Sequence, residues 1–248
     1  MEPVFRTLEI AANVAVRATG TRITFDGLPN LPASGGAVVA INHTSYVDWL
    51  PAALAATRRK RRMRFMIKAE MADVAVVGWL IRHTKTIPVD RQAGAQAYAA
   101  AVDALRAGEL VGVYPEATIS RSFELKEFKT GAVRMALEAR VPIVPLIVWG
   151  AQRKWTKDHP RRLGRNNIPI TVAVGEPLAP QGSAGELDAA LRAAMTALLH
   201  DVQTGYPRPK GAFWVPRRLG GSAPTPAQAA VLDAEELAAR ARRRAQNR

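Results

Sequence analysis

Asn42-His43-Thr44-Ser45-Tyr46-Val47-Asp48 follows directly on Ala37-Val38-Val39-Ala40-Ile41, and this junction decides how the chain folds. The apolar run is too short for a helix and rich in β-branched residues, the pattern of a buried strand. A helix is expected behind it, from about Tyr46 to Thr57. His43 then falls at the carboxyl edge of a sheet, where open α/β folds place their chemistry. Asp48 stands five residues on, about 140° around an uninterrupted helix, so the two side chains meet only if His43 precedes the helix. A carboxylate in the first helical turns can fold back on the imidazole, hold Nδ1–H, fix the tautomer and leave Nε2 as a general base. The same two residues also read as a capping or core histidine beside a surface acid. Such a short motif does not separate the two readings.

Outward from this junction, strands and helices alternate. Thr21–Asp26 alternates like a short strand, and Gly27–Gly36 is a loop rich in turn residues. Further strands are expected at Phe65–Lys68, Leu110–Tyr114, Pro142–Val148 and Ile168–Val174. Helices are expected over 3–19, 70–83, 92–107, 129–139 and 184–203. The fold class is therefore α/β: a mostly parallel central sheet of about seven strands flanked by helices, with an N-terminal amphipathic helix and a C-terminal helical tail. Three divisions follow: 1–20 as the amphipathic helix, 21–205 as the α/β domain, and 206–248 as a basic aromatic strap with a C-terminal helix.

The chain has 248 residues, 48% of them hydrophobic, and no cysteine. Disulfides, thiolate metal sites and a cysteine nucleophile are excluded. The four histidines, His43, His83, His159 and His200, lack ligand spacing, so no metal is expected. Lys and Arg outnumber Asp and Glu 35 to 21, and the sequence pI is near 11. Such a surface attracts anions: nucleic acid, an acidic membrane, or phosphorylated substrates and carriers. Arg58-Arg59-Lys60-Arg61-Arg62-Met63-Arg64 is read as a loop beside the catalytic edge, either docking phosphate or simply solvated. No apolar run reaches the roughly 18–20 residues that span a bilayer. Met1-Glu2-Pro3 does not open like a secretory signal, and the protein is expected on the cytoplasmic side. The helix over 3–19 either lies in a membrane interface or packs on the domain. The strap Tyr206–Arg218 mixes aromatics, prolines and cations; it suits either a membrane interface or a packed strap.

Four blocks, in order, carry a resemblance. They are Asn42–Asp48; Gly78-Trp79-Leu80 with Ile87-Pro88-Val89-Asp90-Arg91; Tyr114-Pro115-Glu116-Ala117-Thr118 with Phe128-Lys129-Thr130-Gly131-Ala132; and Val141-Pro142-Ile143-Val144-Pro145. Together they resemble the glycerophospholipid acyltransferases of the 1-acylglycerol-3-phosphate type. The resemblance implies that His43 takes a proton from the acceptor's own hydroxyl, with Asp48 orienting it, while the acyl group leaves acyl-CoA or an acyl carrier protein. No cofactor is implied beyond that co-substrate. It further implies substrate-binding roles for Arg91, Glu116, Thr118, Lys129 and Lys68. The usual run Pro-Glu-Gly-Thr-Arg-Ser departs here to Pro115-Glu116-Ala117-Thr118-Ile119-Ser120. Arg121 is the nearest replacement for the missing arginine, and the acceptor headgroup is left open.

No Gly-x-Ser-x-Gly elbow surrounds Ser45, and Thr44 and Ser45 suit helix caps, so a covalent serine is not expected. The resemblance implies transfer to the 2-hydroxyl of 1-acylglycerol 3-phosphate in phospholipid biosynthesis, at an anionic membrane surface as a peripheral or monotopic protein. The same chemistry on another lysophospholipid or on glycerol 3-phosphate is the close alternative. An inert membrane scaffold and a basic nucleic-acid-binding protein are the other classes. The absence of nucleic-acid-binding motifs disfavours the last, and no nucleic-acid partner is expected.

Overall fold

A computed structural model describes residues 3–68, 86–89 and 94–246. Among these, the elements in chain order are α1 (Pro3–Ala18), β1 (Arg22–Asp26), β2 (Ala37–Ile41), α2 (Trp49–Arg58), β3 (Met63–Lys68), β4 (Ile87–Val89), α3 (Gly94–Arg106), β5 (Leu110–Val113), α4 (Gly131–Ala139), β6 (Ile143–Trp149), β7 (Pro169–Val174), α5 (Ala184–Gly205) and α6 (Pro226–Gln246). The helix expected over 70–83 lies outside the described residues.

Six strands form one continuous sheet in the order β1-β7-β6-β2-β5-β3, and β4 lies beyond β3. β3 pairs with β5 through Met63–Phe65 and with β4 through Met66–Lys68. The expected count of about seven thus reduces to six in the continuous sheet, with one three-residue piece attached to the far half of β3. All neighbours are parallel except β6 and β7.

β2 is the central strand, and all five of its residues are buried. Because side chains alternate across a strand, Val38 and Ala40 join one apolar cluster and Ala37, Val39 and Ile41 the other. The first cluster includes α3, α4 and α5, through Val102, Leu105, Val133, Met135, Leu191 and Met195. The second is closed by α2, through Ala52, Ala55 and Ala56. Burial on both faces explains why β2 and β6 read as unbroken apolar runs rather than alternating ones.

Strand direction determines where the loops lie. Residues 42–48 follow β2, 114–118 follow β5 and 150–156 follow β6, and these three parallel strands deliver them to one edge. The basic run precedes β3, so it lies at the opposite, amino edge, not beside His43 as expected. There Arg61 donates to the carbonyls of Pro32, Gly35 and Gly108 at 2.7–2.8 Å. Arg59 donates to Leu31 O at 3.2 Å, and the nearly buried Arg64 pairs with Glu109 at 2.9 Å. Much of the run holds loops together. Between it and α1 lies a groove of about 1160 Å³ lined by Arg6, Glu9, Lys60 and Arg62 among others.

The strap after α5 is packed rather than displayed. Tyr206, Trp214 and Val215 are buried in the α5 face of the core. Arg153 lies 4.6 Å over the Trp214 ring, and Tyr206 OH donates to Pro169 O at 2.6 Å. Of the two readings of its composition, the structure shows the packed one. Gly150 makes this docking possible: its φ is +100°, and a Cβ there would come within 2.3 Å of Pro169 O. No helix among the described residues is long and apolar enough to cross a membrane.

Candidate active site

Asn42 carries the β2–β6 ladder one residue further with its side chain. Its Nδ2 donates to Val148 O at 3.1 Å, and Val148 N donates to its Oδ1 at 2.7 Å. The chain then turns, and the helix begins at Trp49 rather than near Tyr46. The turn is held by β6's following loop: Tyr46 N donates to Trp155 O at 3.1 Å, Thr156 Oγ1 to Thr44 O at 2.7 Å, and Ser45 Oγ to Trp155 O at 2.6 Å. Neither Thr44 nor Ser45 caps α2. The Ser45 hydroxyl is buried and occupied by two carbonyls, which argues against its acting as a nucleophile.

Asp48 sits immediately before α2 and folds back as the spacing suggested. Its Oδ2 accepts from Thr44 N at 2.8 Å and Ser45 N at 2.7 Å, and lies 3.3 Å from His43 Nδ1. Asp48 is fully buried, and its Oδ1 has no hydrogen-bond partner among the described residues. Burial pushes its carboxyl up from the ordinary range, opposed by the imidazole and the two N–H donors. The His43 ring is 20% exposed and stacks on Tyr114, centroids 4.2 Å apart. With Nδ1 facing Asp48, Nε2 is the nitrogen left for chemistry. Burial, reinforced by the Asp48 charge, holds the Tyr114 phenol well above its usual range, so it is a neutral platform for the ring.

Glu116 supports the site from behind. Its Oε1 accepts from His43 N at 2.8 Å and its Oε2 from Lys126 N at 3.0 Å. It clamps two loops rather than capping a helix. Burial lifts its carboxyl to about 7, against the pull of those two N–H groups. A folded-state pKa above the unfolded 4.5 means the folded form binds the extra proton. That contribution is fully present below pH 4.5 and is lost as pH rises through 7. The expected loss is about 3 kcal/mol. Thermal unfolding of wild type and Glu116→Gln between pH 4.5 and 8 should show this decline in the wild type only.

The third block's departures are structural as well as chemical. Ala117 has φ +58°, a left-handed conformation that glycine adopts without steric cost. Ala117→Gly is expected to raise stability by about 1 kcal/mol, measured by urea unfolding. Ile119 is buried, so an apolar side chain stands where the block's arginine would.

Of the other sequence candidates, Thr118 Oγ1 accepts from Lys126 Nζ at 2.6 Å. Lys129 is exposed, its N–H donating to Pro115 O at 2.8 Å. Arg121, expected as a free phosphate ligand, is instead only 8% exposed and bound by Asp158, Asp233 and Glu236. Lys68 ends β3, but its side chain and all of Arg91 lie outside the described residues. The sequence reading missed Lys126, Lys157 and their partners on α6. No local pattern marks ion pairs between residues about a hundred apart.

A histidine held by a buried carboxylate at the carboxyl edge of a parallel sheet is an arrangement that can act as a general base. The Acyltransferase family model matches residues 22–149, just over half the chain, and the protein belongs to that family. It is 31% identical over 122 residues to a 1-acyl-sn-glycerol-3-phosphate acyltransferase of Bacillus subtilis, covering 49% of this chain and 59% of that one. A protein of the same designation from Chlamydomonas reinhardtii is 28% identical over 182 residues, covering 72% and 53%. The chain thus spans between half and three fifths of the length of these relatives. The crystal structure of the 1-acyl-sn-glycerophosphate acyltransferase of Thermotoga maritima shares the fold, with TM-score 0.70 and 22% identity over 83% of this chain and 82% of that one.

Proposed function

We propose that the protein transfers a fatty acyl group from a thioester to the 2-hydroxyl of 1-acylglycerol 3-phosphate, giving phosphatidic acid. The single observation that carries this reading is the contact of His43 Nδ1 with Asp48 Oδ2 at 3.3 Å, which leaves Nε2 as the base. The acceptor hydroxyl attacks the thioester carbon as Nε2 takes its proton. The new C–O bond forms, the C–S bond breaks, and the proton passes from His43 to the departing thiolate. Asp48 stabilises the imidazolium between the two transfers. The donor is acyl-CoA or an acyl carrier protein.

The residues around the centre support a lipid acceptor. Tyr46 and Trp49, in and just after the His43 loop, expose apolar rings at 43% and 48%. α1 likewise exposes Ile10 and Val14, as an interfacial helix on an anionic bilayer would. These exposed side chains support work at a membrane surface, and the face we propose is the cytoplasmic one that the sequence leads us to expect. Arg91, by its place in the second block, and Lys68 and Lys129 are proposed as further contacts to the acceptor or donor.

The buried Ile119 favours a second acceptor reading, since it puts an apolar side chain where the block usually carries an arginine. A panel of glycerol 3-phosphate, 1-acylglycerol 3-phosphate and lysolipids with inositol or ethanolamine headgroups, each with palmitoyl-CoA, tests it by mass spectrometry of the product. Phosphatidic acid as the main product supports the primary reading. Product confined to another headgroup replaces it with the second.

A further inference from the structure

α6 approaches the site with its charged face. Ala229, Asp233, Glu236 and Ala239, at helical spacing, are its sheltered positions, while Val231, Leu232 and Leu237 are exposed. An ordinary surface helix does the reverse, burying its apolar stripe. What holds this helix is a set of ion pairs. Asp233 pairs with Arg121 and Lys126 and lies 3.4 Å from Lys157 Nζ. Glu236 lies 3.0 Å from Arg121 and 2.8 Å from Lys157. Arg121 and Lys157 are nearly buried, while Asp233 and Glu236 keep 20% and 26% of their side chains exposed, so the carboxylates are the members of the network open to exchange with a dissolved anion.

The three cations adjoin the catalytic loops. Ser120 N, beside Arg121, donates to His43 O at 2.8 Å. Lys126 joins Glu116 through its backbone N–H and Thr118 through its ammonium. Arg121, Lys126 and Lys157 together offer a guanidinium fork and two ammonium groups, a donor set that suits a phosphate monoester. Asp233 and Glu236 present several anionic oxygens to that set, as a phosphate does.

We infer that Arg121, Lys126 and Lys157 form a phosphate-monoester site, and that Asp233 and Glu236 of α6 occupy it as an internal competitor that the ligand displaces. This rests on the proposed function for the identity of the ester as a lysophospholipid headgroup. The cation cluster and its occupation are independent of it. The missing block arginine at Ile119 is thereby answered by cations from two loops, guarded by the chain's own C-terminal helix.

Calorimetric titration of the full chain with glycerol 3-phosphate, and separately with inorganic phosphate, tests the inference without turnover. Asp233→Asn/Glu236→Gln is expected to bind glycerol 3-phosphate at least about tenfold more tightly than wild type, the factor for removing a competitor that fills the site nine-tenths of the time. A gain shared by inorganic phosphate assigns the site to the phosphate group; a gain confined to the ester assigns it to the glycerol phosphate headgroup. In unmodified protein, glycerol 3-phosphate should speed amide hydrogen exchange across 226–246. Unchanged or weaker binding in the double variant, or unchanged exchange in wild-type α6, would overturn the inference. If ligand displaces α6 but no acyl transfer is found, the proposed function fails and this site stands.

Discussion

Replacing His43 with alanine is expected to lower turnover by roughly 10²–10⁴-fold, the range for loss of a positioned general base. The fold should survive. The loops around position 43 are held by its main chain, through Glu116 Oε1 and Ser120 N, and alanine keeps both bonds. The lost ring leaves Tyr114 without its stacking partner and takes the imidazole from Asp48 Oδ2, which keeps its two backbone N–H donors. A change in kcat with little change in acceptor KM marks an interaction made in the transition state rather than in binding. Circular dichroism and urea unfolding of the variant check that the loss is chemical.

Asp48→Asn should be nearly as damaging to turnover, roughly 10²–10⁴-fold, for a different reason. One amide oxygen can still accept from Thr44 N and Ser45 N, so the turn is kept. What goes is the negative charge beside Nδ1, and with it the stabilisation of the imidazolium. The oxygen in the Oδ2 place faces Nδ1 as well, so the ring proton stays on Nδ1 and the loss is one of charge. Nitrogen-15 spectra of the ring report that tautomer directly. Asp48→Ala is expected to harm stability instead, because it strands two buried N–H groups at about 1–3 kcal/mol each. The contrast between the two variants separates the charge from the scaffold: a structural aspartate would give full activity in Asp48→Asn.

The centre of the fold was legible because its signals are local. Five apolar residues ending at Asn42, a histidine and an acid five residues on place strand, turn and helix without distant contacts. The parallel sheet followed from the alternation of elements, and the resemblance of four ordered blocks pointed to the family. Two other features were not legible, each for a physical reason. The Arg58–Arg64 run lies on the edge opposite to the one expected, because a loop before a parallel strand lies opposite a loop after one; only the parallel pairing of β3 with β5 fixes that direction. The engagement of Arg121 depends on Asp158 and on Asp233 and Glu236 of α6, and pairings over such separations leave no periodicity in the sequence. The strap showed both of its possible uses in its composition. Only the burial of Tyr206 and Trp214 against Arg153 and Pro169 chose between them.

The most direct test of direct transfer by His43 is thiol release from palmitoyl-CoA, followed with a thiol reagent, with and without 1-acylglycerol 3-phosphate. The chain has no cysteine of its own to react. The expected result is release that requires the acceptor, one phosphatidic acid formed per thiol, and none above background in His43→Ala. A burst of about one thiol per enzyme without acceptor would contradict direct attack by the acceptor hydroxyl. No release with any acceptor, from either palmitoyl-CoA or a palmitoyl carrier protein, would contradict acyl transfer itself.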